Sequence, residues 1–319
     1  MIVSRCPVRV SLAGGSTDLK TYLQRYGYGT VIGFSADVYC YITLKSDRLG
    51  LNGLDDKYVI DYMNREIVDN VEDIKNDIAR VVLGRYKMKP ATVWFTSDIY
   101  ASGSGLASST AYLIAMLAAV QESSGIKSKN SEICRLAHEL EKEFNPLTGY
   151  QDPYVCGTGG FNRFHFHSNG DVGFEKIETR MLERFDMYLV STGTSRSSTK
   201  VLETLDPEKC LGLVKIAEDL HTAIKEDNTT RFLDLINEGW ELKKKTGKIT
   251  EDSRVSKIDQ ELCSDSTVLA HRLLGAGNGG YFLVFTNRDS SIENLQAKLY
   301  SRAIKIRVCS DGPTVMQMR

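Results

Sequence analysis

The chain has 319 residues, of which 42% are hydrophobic and 25% are charged, and its formal net charge is −1. This length is sufficient for two packed domains, and the apolar content is that of an ordinary globular protein. The balanced charge excludes a global field that would attract nucleic acid or an anionic membrane. We therefore expect neither a nucleic-acid partner nor a membrane partner.

Cysteine usage and apolar run lengths bear on the compartment. The seven cysteines are scattered, with no Cys-x-x-Cys pair, which is typical of reduced thiols. Residues 1–9 carry charge too early, and apolar runs too short, for a signal peptide. The longest apolar stretch, residues 112–120, is far shorter than the roughly 18 residues needed to span a bilayer. The sequence predicts a cytoplasmic protein.

Strand and helix patterns alternate in the first half of the chain. Strands are predicted over residues 8–12, 30–34, 38–44, 58–62 and 92–96. Helices are predicted over residues 19–26, 71–86, 112–120 and 131–144, and Gly27 is a natural end for the first. Residues 161–167 and 172–177 form a predicted hairpin around an Asn-Gly turn.

The second half shows the same alternation. Strands are predicted over residues 187–191, 281–286 and 304–309. Helices are predicted over residues 211–225, 231–245, 253–274 with breaks, and 292–302. The run Lys243, Lys244 and Lys245 is predicted to be a solvated last helical turn, where cations are favourable. We predict an α+β protein with domains at 1–182 and 183–319.

A loop of small residues precedes the helix at 112–120. It consists of Gly103, Ser104, Gly105, Leu106, Ala107, Ser108 and Ser109. The first N–H groups of a helix have no internal partner and favour an anion, and glycines allow a ligand to approach the backbone. The two last serines offer hydroxyl oxygens to a metal ion. The loop predicts a phosphate site, although many buried helices also begin after a Gly/Ser turn.

Two carboxylates follow this loop. Glu141 lies on the edge of the apolar stripe of its helix, where a carboxylate needs a cation or a metal as partner. Asp152 lies in a predicted turn before Pro153, and its alternative role there is helix capping.

Two further glycine segments are weaker signals when taken singly. Residues 275–280 contain four glycines between a predicted helix and an apolar strand, although turns alone could account for them. In residues 9–18, Arg9 at a strand end and Asp18 at a helix start flank a Gly-Gly turn.

Taken together and in order, these three glycine motifs resemble those of the GHMP kinases, the family of galactokinase, homoserine kinase, mevalonate kinase and phosphomevalonate kinase. The resemblance spans residues 6–285. It implies a two-domain GHMP kinase fold, with an N-terminal ribosomal-S5-domain-2-like part and a C-terminal ferredoxin-like part. It also implies ATP as a substrate, Mg²⁺ as the metal, and ATP phosphates bound by residues 103–109.

Position by position, the resemblance assigns roles to individual residues. The catalytic Asp falls on Asp152, its cationic partner on Arg9, and the metal ligands on Glu141 and Ser109. The residues assigned to substrate binding are Arg9, Gly15, Ser16, Thr17, Asp18, Gly277 and Asn278. The chain departs from the motifs of the family at two places. Ala107 stands where Gly or Ser is common, and residues 272–274 replace the usual Lys/Arg-x-Thr.

Within the family, residues 13–19 and 157–162 resemble sugar 1-kinases of the heptose type. This implies phosphorylation of the anomeric hydroxyl of a sugar phosphate, from D-glycero-D-manno-heptose 7-phosphate to the 1,7-bisphosphate. The acceptor's phosphate would need an anion site, for which Arg196, Lys200 and Arg163 are candidates. For Arg196, an exposed arginine at a helix start is an equal alternative. We expect a monomer or a homodimer.

Other functions stay open at this point. One is a kinase for another sugar, such as fucose or galactose, or for mevalonate, although mevalonate kinases carry Lys where this chain has Arg9. Another is a non-catalytic sugar sensor, which loss of the base, the metal ligand or the phosphate loop would mark. A dinucleotide-binding protein is a weaker option, because the glycine loops do not form the expected unit. His165 and His167 alternate with Phe164 and Phe166, and without a third ligand we expect no metal there.

Overall fold

The computed structural model describes residues 1–46, 56–100, 103–194, 207–246, 253–275, 277–299 and 301–318. Arg196 and Lys200, two of the predicted anion anchors, lie outside these residues. The strands are β1 Ile2–Ala13, β2 Tyr28–Lys45, β3 Tyr58–Asp61, β4 Arg65–Val68, β5 Thr92–Ser97, β6 Phe161–His167, β7 Val172–Lys176, β8 Phe185–Ser191, β9 Val268–Leu273, β10 Tyr281–Asn287, β11 Ala303–Ile306 and β12 Thr314–Gln317.

The helices surround two sheets. They are α1 Lys20–Tyr26, α2 Asp77–Arg85, α3 Ser108–Ser123, α4 Asn130–Glu141, α5 Gln151–Thr158, α6 Leu211–Lys225, α7 Thr229–Thr246, α8 Arg254–Ser264 and α9 Glu293–Leu299. Mixed helices and largely antiparallel sheets confirm the predicted α+β class. None of the helices in the described ranges combines the length and apolar character that a bilayer crossing requires.

The first sheet is built around two long strands. Its order is β12-β1-β2-β5-β3-β4, with β6 paired to β2 and β7 to β6. The β3–β5 pair is parallel and the other pairs are antiparallel. The last strand, β12, thus returns to the edge of β1, which the sequence did not predict.

The second sheet has the order β11-β8-β10-β9. The domain boundary after residue 182 stays a prediction.

Helix α3 is the central element of the core. Twelve of its sixteen residues are buried, so it is apolar nearly all round rather than on one stripe. It packs against β1 and β2 on one side and against α2, α4 and α5 on the others. Burial of each large aliphatic side chain contributes about 1.5–3 kcal/mol. This packing fixes the start of α3, where the small-residue loop ends.

The second sheet is covered on both faces. Leu283 and Phe285 on one face join the core that includes α6, α7 and the first sheet. Phe282 and Val284 on the other face pack with residues of α8 and α9. Because α6 also contacts β1 and β2, the two sheets share one continuous core.

Several element boundaries differ from the sequence prediction. Residues 30–34 and 38–44 belong to one strand, β2, because the buried Ser35 and Ala36 continue the pairing with β1. The predicted helix at 71–86 is a short 3₁₀ turn followed by α2, which begins after Asn76 caps the N–H of Ala79. The predicted helix at 253–274 is wrong beyond Ser264, since Val268–Leu273 forms β9.

Two local predictions are confirmed. Gly27 ends α1 with a left-handed φ of 80°, donating its N–H to Leu23. The hairpin at 161–177 is present as β6 and β7, with Phe164 and Phe166 buried and His165 and His167 on the opposite face. All seven cysteines are free thiols, and Cys263 is the exposed one.

Candidate active site

A cavity of about 650 Å³ lies where the two sheets approach each other. Its lining combines the end of β1, the loop at 103–109, helices α4 and α5, and two residues of the second half, Lys243 and Gly275. The three glycine motifs, which are far apart in sequence, therefore meet at one place.

The small-residue loop is tightly braced at the start of α3. Ala107, directly before the helix, has a left-handed φ of 59°. The Ser104 hydroxyl lies 2.8 Å from that of Ser108 and accepts the N–H of Leu106 at 3.2 Å. Ser108 is buried and Ser109 is exposed, and both line the cavity. The first turn of α3 therefore brings helix-start N–H groups and serine hydroxyls to the cavity, an arrangement that suits phosphate.

The third glycine motif packs directly on this loop. A Cβ atom on Gly275 would lie 2.5 Å from Cα of Gly105, and one on Gly105 would lie 2.5 Å from the Leu274 carbonyl. Any side chain at either position would push the two loops apart. Gly277 and Asn278, predicted to bind substrate, are not among the lining residues. The residue of this motif that reaches the cavity is Gly275.

Arg9 and Asp152 form a buried ion pair at the cavity. Arg9 Nε donates to Asp152 Oδ1 at 2.8 Å, and the Arg9 side chain is 5% exposed. Arg9 Nη1 donates to the Gly105 carbonyl, and its backbone N–H donates to the Leu106 carbonyl at 3.1 Å. Burial alone would lower the pKa of Arg9, but the charge and hydrogen bond of Asp152 raise it overall. Arg9 thus joins the predicted base to the phosphate loop.

The surroundings of Asp152 differ from the prediction. Asp152 lies in the first turn of α5, not in an irregular turn. Its side chain pairs with Arg9, so the structure favours the ion pair over the capping alternative. Another carboxylate, Asp18, accepts the N–H of Gln151, the first residue of that helix, at 2.9 Å.

Asp18 is fully buried between the first motif and α5. Its other oxygen accepts the N–H of Ser16 at 3.2 Å, and a Cβ atom on Gly149 would lie 2.0 Å from Oδ2. Burial, reinforced by the charge of Asp152, raises the pKa of Asp18 to about 6. Asp18 lines the cavity and also fixes where α5 begins.

The other residues predicted in the first motif divide into two groups. Gly15 and Ser16 line the cavity. Thr17 does not: its hydroxyl donates to the carbonyls of Gly14 and Thr30 and accepts the N–H of Thr30. Thr17 therefore holds the turn against β2.

Two lining residues that the sequence analysis missed carry unpartnered polar atoms. Ser11 Oγ and Gln151 Oε1 are buried without a hydrogen-bond partner in the described part of the chain. Both face Gly15, since a Cβ atom there would lie 3.5 Å from Ser11 Oγ and 3.8 Å from Gln151 Oε1. Buried polar atoms are normally satisfied, so these point to a hydroxyl-bearing ligand. The signal for Ser11 was its position two residues after Arg9, on the same strand face.

Glu141 is 2% exposed at the end of α4. Its two oxygens accept from the Thr110 hydroxyl at 3.0 and 2.9 Å. Burial and the charge of Asp152 raise the pKa of Glu141 to about 7, although hydrogen bonds from Thr110, Asn145 and Thr148 oppose the shift. Sequence analysis missed Thr110, whose role depends on the packing of α3 against α4.

The donor set around Glu141 fits Mg²⁺. Glu141 is a buried carboxylate whose hydrogen-bond partners are neutral, and it lines the same cavity as the hydroxyl of Ser109. The two residues offer the hard oxygen ligands that this ion prefers.

The opposite end of the cavity is aromatic. Phe95 lies between Tyr112 and Tyr62, with ring centroids 5.3 and 6.4 Å apart, and Ile78 completes an apolar wall. The polar residues Asn76, Thr96 and Ser97 also line the cavity here. This wall suits a flat heteroaromatic ring. The sequence of this region had given no signal for such a site.

Two basic residues lie elsewhere than predicted. Lys243 is not a solvated residue of a helix end: its Nζ donates to the carbonyls of Leu273, at 3.5 Å, and Gly275, and it lines the cavity. Arg163 contacts His221 and Thr30 on the other side of the first sheet and does not line the cavity.

Comparison with known proteins agrees with this geometry. Residues 72–160 match the model of the GHMP kinases N terminal domain. D-glycero-alpha-D-manno-heptose 7-phosphate kinase of Campylobacter jejuni is 26% identical, over 93% of this chain and 92% of that protein. L-fucokinase/L-fucose-1-P guanylyltransferase of Bacteroides fragilis is 25% identical, over 88% of this chain and 34% of that protein. A D-glycero-D-manno-heptose 1-phosphate kinase structure from Bacteroides thetaiotaomicron superposes with a TM-score of 0.75, at 20% identity and full coverage of both chains.

The GHMP kinase domain and the similarity to sugar kinases indicate a phosphotransferase that acts on an alcohol group. Residues 72–160 are a GHMP kinase N-terminal domain, and the chain has the fold of the GHMP kinases, as the sequence motifs predicted. ATP is the phosphoryl donor of that family.

Proposed function

We propose that this kinase phosphorylates the anomeric hydroxyl of a sugar phosphate, and that its acceptor is D-glycero-D-manno-heptose 7-phosphate. The observation that carries the proposal is the Arg9–Asp152 pair, which lies between the phosphate loop and the unpartnered polar atoms of Ser11 and Gln151. The similarity to the heptose 7-phosphate kinase supports the choice of acceptor.

ATP extends along the cavity in this proposal. Its adenine lies against the aromatic wall of Tyr62 and Phe95, and its phosphates lie over residues 103–109 at the start of α3. Glu141 and Ser109 are the residues that would hold Mg²⁺, with Thr110 orienting Glu141. When bound, the ion neutralises charge that develops on the transferring phosphoryl group.

The acceptor occupies the end of the cavity beside the first motif. Ser11, Ser16, Asp18 and Gln151 would bind its hydroxyls, which supplies the partners that Ser11 Oγ and Gln151 Oε1 lack among the described residues. Sugar recognition of this kind depends on matching each buried polar atom with a hydroxyl.

Asp152 acts as the general base. Arg9 holds Oδ1, and we assign Oδ2 to accept the proton of the anomeric hydroxyl as its oxygen attacks the γ-phosphorus. Because Arg9 also contacts the phosphate loop, one side chain sets the position of the base relative to the phosphates. Most of the rate gain comes from this positioning and from electrostatic stabilisation.

A second candidate is a kinase for an unphosphorylated sugar such as L-fucose. It has support from the similarity to the Bacteroides fragilis enzyme, which covers most of this chain. The base, the metal ligand and the phosphate loop would serve either acceptor. A non-catalytic sugar sensor has less support, because all three of these features are present in the cavity.

The test is Mg²⁺-dependent ATP consumption against D-glycero-D-manno-heptose 7-phosphate, the same heptose without phosphate, L-fucose, galactose and mevalonate. We expect turnover on the heptose 7-phosphate, with the product carrying a second, acid-labile phosphate. Turnover on L-fucose alone would show that L-fucose is the acceptor and would leave the proposed mechanism unchanged. Binding of sugar and ATP without turnover on any compound would favour the sensor.

A further inference from the structure

A cluster of three metal-ligating side chains lies on the second sheet, outside the active-site cavity. It consists of Asp259 and Cys263 of α8 and His271 of β9, and one ligand atom of each lies within 4.8 Å of the other two. His271 Nε2 is 2.8 Å from Asp259 Oδ1 and 3.9 Å from Cys263 Sγ. These three residues do not line the cavity that holds Arg9 and Asp152. The cluster therefore has no part in the proposed catalytic mechanism.

The local fold brings the three side chains together. Asp259 and Cys263 are four residues apart on α8 and so lie on the same side of that helix. His271 is buried on the face of β9 that contacts this side of α8. In the turn between the two elements, Asp265 Oδ1 accepts the N–H and the hydroxyl of Thr267, at 3.0 and 2.6 Å. This turn fixes β9 beside the end of α8.

The separations between the ligand atoms fit a tetrahedral zinc site. Zinc binds nitrogen and oxygen at about 2.0–2.1 Å and sulfur at about 2.3 Å, so tetrahedral angles place nitrogen about 3.3 Å from oxygen and about 3.6 Å from sulfur. The 2.8 Å and 3.9 Å distances from His271 Nε2 differ from these values by about 0.5 and 0.3 Å. Small side-chain rotations would therefore accommodate the ion.

Asp259 is an ionised group with a fixed orientation. Its Oδ1 accepts from Trp240 Nε1 at 2.6 Å, and its Oδ2 accepts from Lys244 Nζ at 2.9 Å. Burial would raise the pKa of Asp259, but hydrogen bonds from His271, Lys244 and Trp240 lower it to about 2. Outer partners of this kind orient a metal-binding carboxylate.

Cys263 opens the cluster to solvent. Its side chain is exposed, whereas those of His271 and Asp259 are 6% and 11% exposed. An ion, with a water molecule as a further ligand, can therefore enter from the side of Cys263. As the bond between zinc and sulfur forms, the S–H bond breaks and the thiol proton passes to solvent.

We propose that Asp259, Cys263 and His271 form a binding site for Zn²⁺, with water as the fourth ligand. One thiolate, one imidazole and one carboxylate favour zinc over Mg²⁺, which takes oxygen ligands in octahedral geometry. The ion joins α8 to β9. Because Asp259 also holds Trp240 and Lys244, the site is connected to α7 as well. The proposal does not depend on the identity of the sugar acceptor.

The first test is the absorption spectrum of the metal-free full chain during titration with Co²⁺, a spectroscopic substitute for zinc. A cysteine ligand gives a sulfur-to-cobalt charge-transfer band, which oxygen ligands such as Glu141 and Ser109 cannot give. We expect the band in the wild type, its loss on addition of Zn²⁺, and its absence in Cys263→Ala. Ser264→Ala, an exposed neighbour on α8, is the matched control and should keep the band. No band in the wild type, or an equal band in Cys263→Ala, would overturn the proposal.

The second test uses variants that should change zinc affinity in opposite directions. Calorimetric titration should show at least about a hundredfold weaker binding in Cys263→Ala, which loses a direct ligand. Lys244→Met removes a positive charge beside Asp259 and should tighten binding at least about threefold. Lys245→Met, from the same lysine run but exposed, should match the wild type. Unchanged or weaker binding in Lys244→Met would remove Asp259 from the ligand set and overturn the site as stated.

Thermal unfolding tests whether zinc binds the folded chain at this cluster. Zinc should raise the melting temperature of the wild type by several degrees, because a ligand of the folded state stabilises it. The rise should be nearly absent in Cys263→Ala. Any rise caused by Mg²⁺ at Glu141 should be the same in both chains, which separates the cluster from the active site. An equal rise with zinc in both chains would place the ion elsewhere and refute the proposal.

Discussion

The carboxylate of Asp18 accepts the backbone N–H of Gln151, the residue directly before Asp152, at 2.9 Å. The first glycine motif thereby fixes the start of the helix that carries the proposed base. Arg9, from the same motif, holds the base itself. One short segment of sequence therefore determines both the position of helix α5 and the orientation of the side chain at its first turn.

Asp18→Ala should lower both stability and turnover. Loss of the acceptor at the start of α5 destabilises by about 1 kcal/mol, as for other lost N-terminal caps, and lets Asp152 move. Gly149→Ala should give the same result, since its Cβ atom would collide with the Asp18 carboxylate. Thermal unfolding and kcat measure the two effects. Normal kcat in both variants would contradict a positioning role for Asp18.

Asp152→Asn should abolish most phosphoryl transfer and leave ATP binding intact. Removal of a general base typically lowers kcat about 10²–10⁴-fold, and the side chain lies on the acceptor side of the phosphate loop. Steady-state kinetics and calorimetric ATP titration measure the two properties. Turnover near that of the wild type would remove Asp152 from the base role.

Stability in the absence of Mg²⁺ should fall as the pH rises through the range where Glu141 ionises. Its pKa is about 7 in the folded chain against an ordinary 4.5, so between these values the folded state holds a proton that the unfolded state has lost. By linkage, the free energy of unfolding decreases over this window, by on the order of 3 kcal/mol. Urea unfolding at pH 5 and pH 8 checks this, with Glu141→Gln as the variant that should lose the dependence attributable to Glu141.

Affinity for Mg²⁺ should show the opposite trend, because the metal binds the ionised carboxylate. Below pH 7 the apparent affinity should fall up to about tenfold per pH unit. Thr110→Val removes the hydroxyl that opposes the rise in the pKa of Glu141. The midpoint of the pH dependence of Mg²⁺ affinity should therefore move to higher pH in Thr110→Val, and it should stay unchanged in Thr110→Ser. The measurement is the Mg²⁺ dependence of ATP turnover at each pH. An unchanged midpoint in Thr110→Val would contradict the assigned role of this hydroxyl.

Ala107→Gly should be neutral or stabilising by up to about 1 kcal/mol. Ala107 has a left-handed φ of 59°, a conformation that costs an alanine about 1–2 kcal/mol and a glycine much less. The matched control is Ala111→Gly in the buried interior of α3, which should destabilise by about 1 kcal/mol or more. Equal destabilisation of both variants would show that the backbone at 107 is unstrained.

The parts of the site that sequence could predict are those encoded locally. The loop at 103–109 is recognisable from small residues before an apolar helix, and the order of three such motifs indicated the family. Arg9 and Asp152 followed from the motifs, and their 2.8 Å contact agrees with the expected pairing.

Features that depend on packing between distant elements could not be predicted. The bond between Thr110 and Glu141 needs α3 beside α4, and the aromatic wall needs β5 beside α2 and α3. Lys243 fits the pattern of a solvated helix end in sequence, yet tertiary packing turns it toward the cavity. Strand β9 was assigned to a helix because its buried His271 and Arg272 obscure the alternation of a strand.

The contact between Gly105 and Gly275 also has a practical consequence. The two residues belong to different halves of the chain, and each half supplies one side of the surface against which phosphates would lie. A first half produced alone would present the loop without the backbone that braces it. Two separately expressed halves should therefore regain nucleotide binding only on reassembly, which makes this chain a candidate scaffold for a split-enzyme reporter.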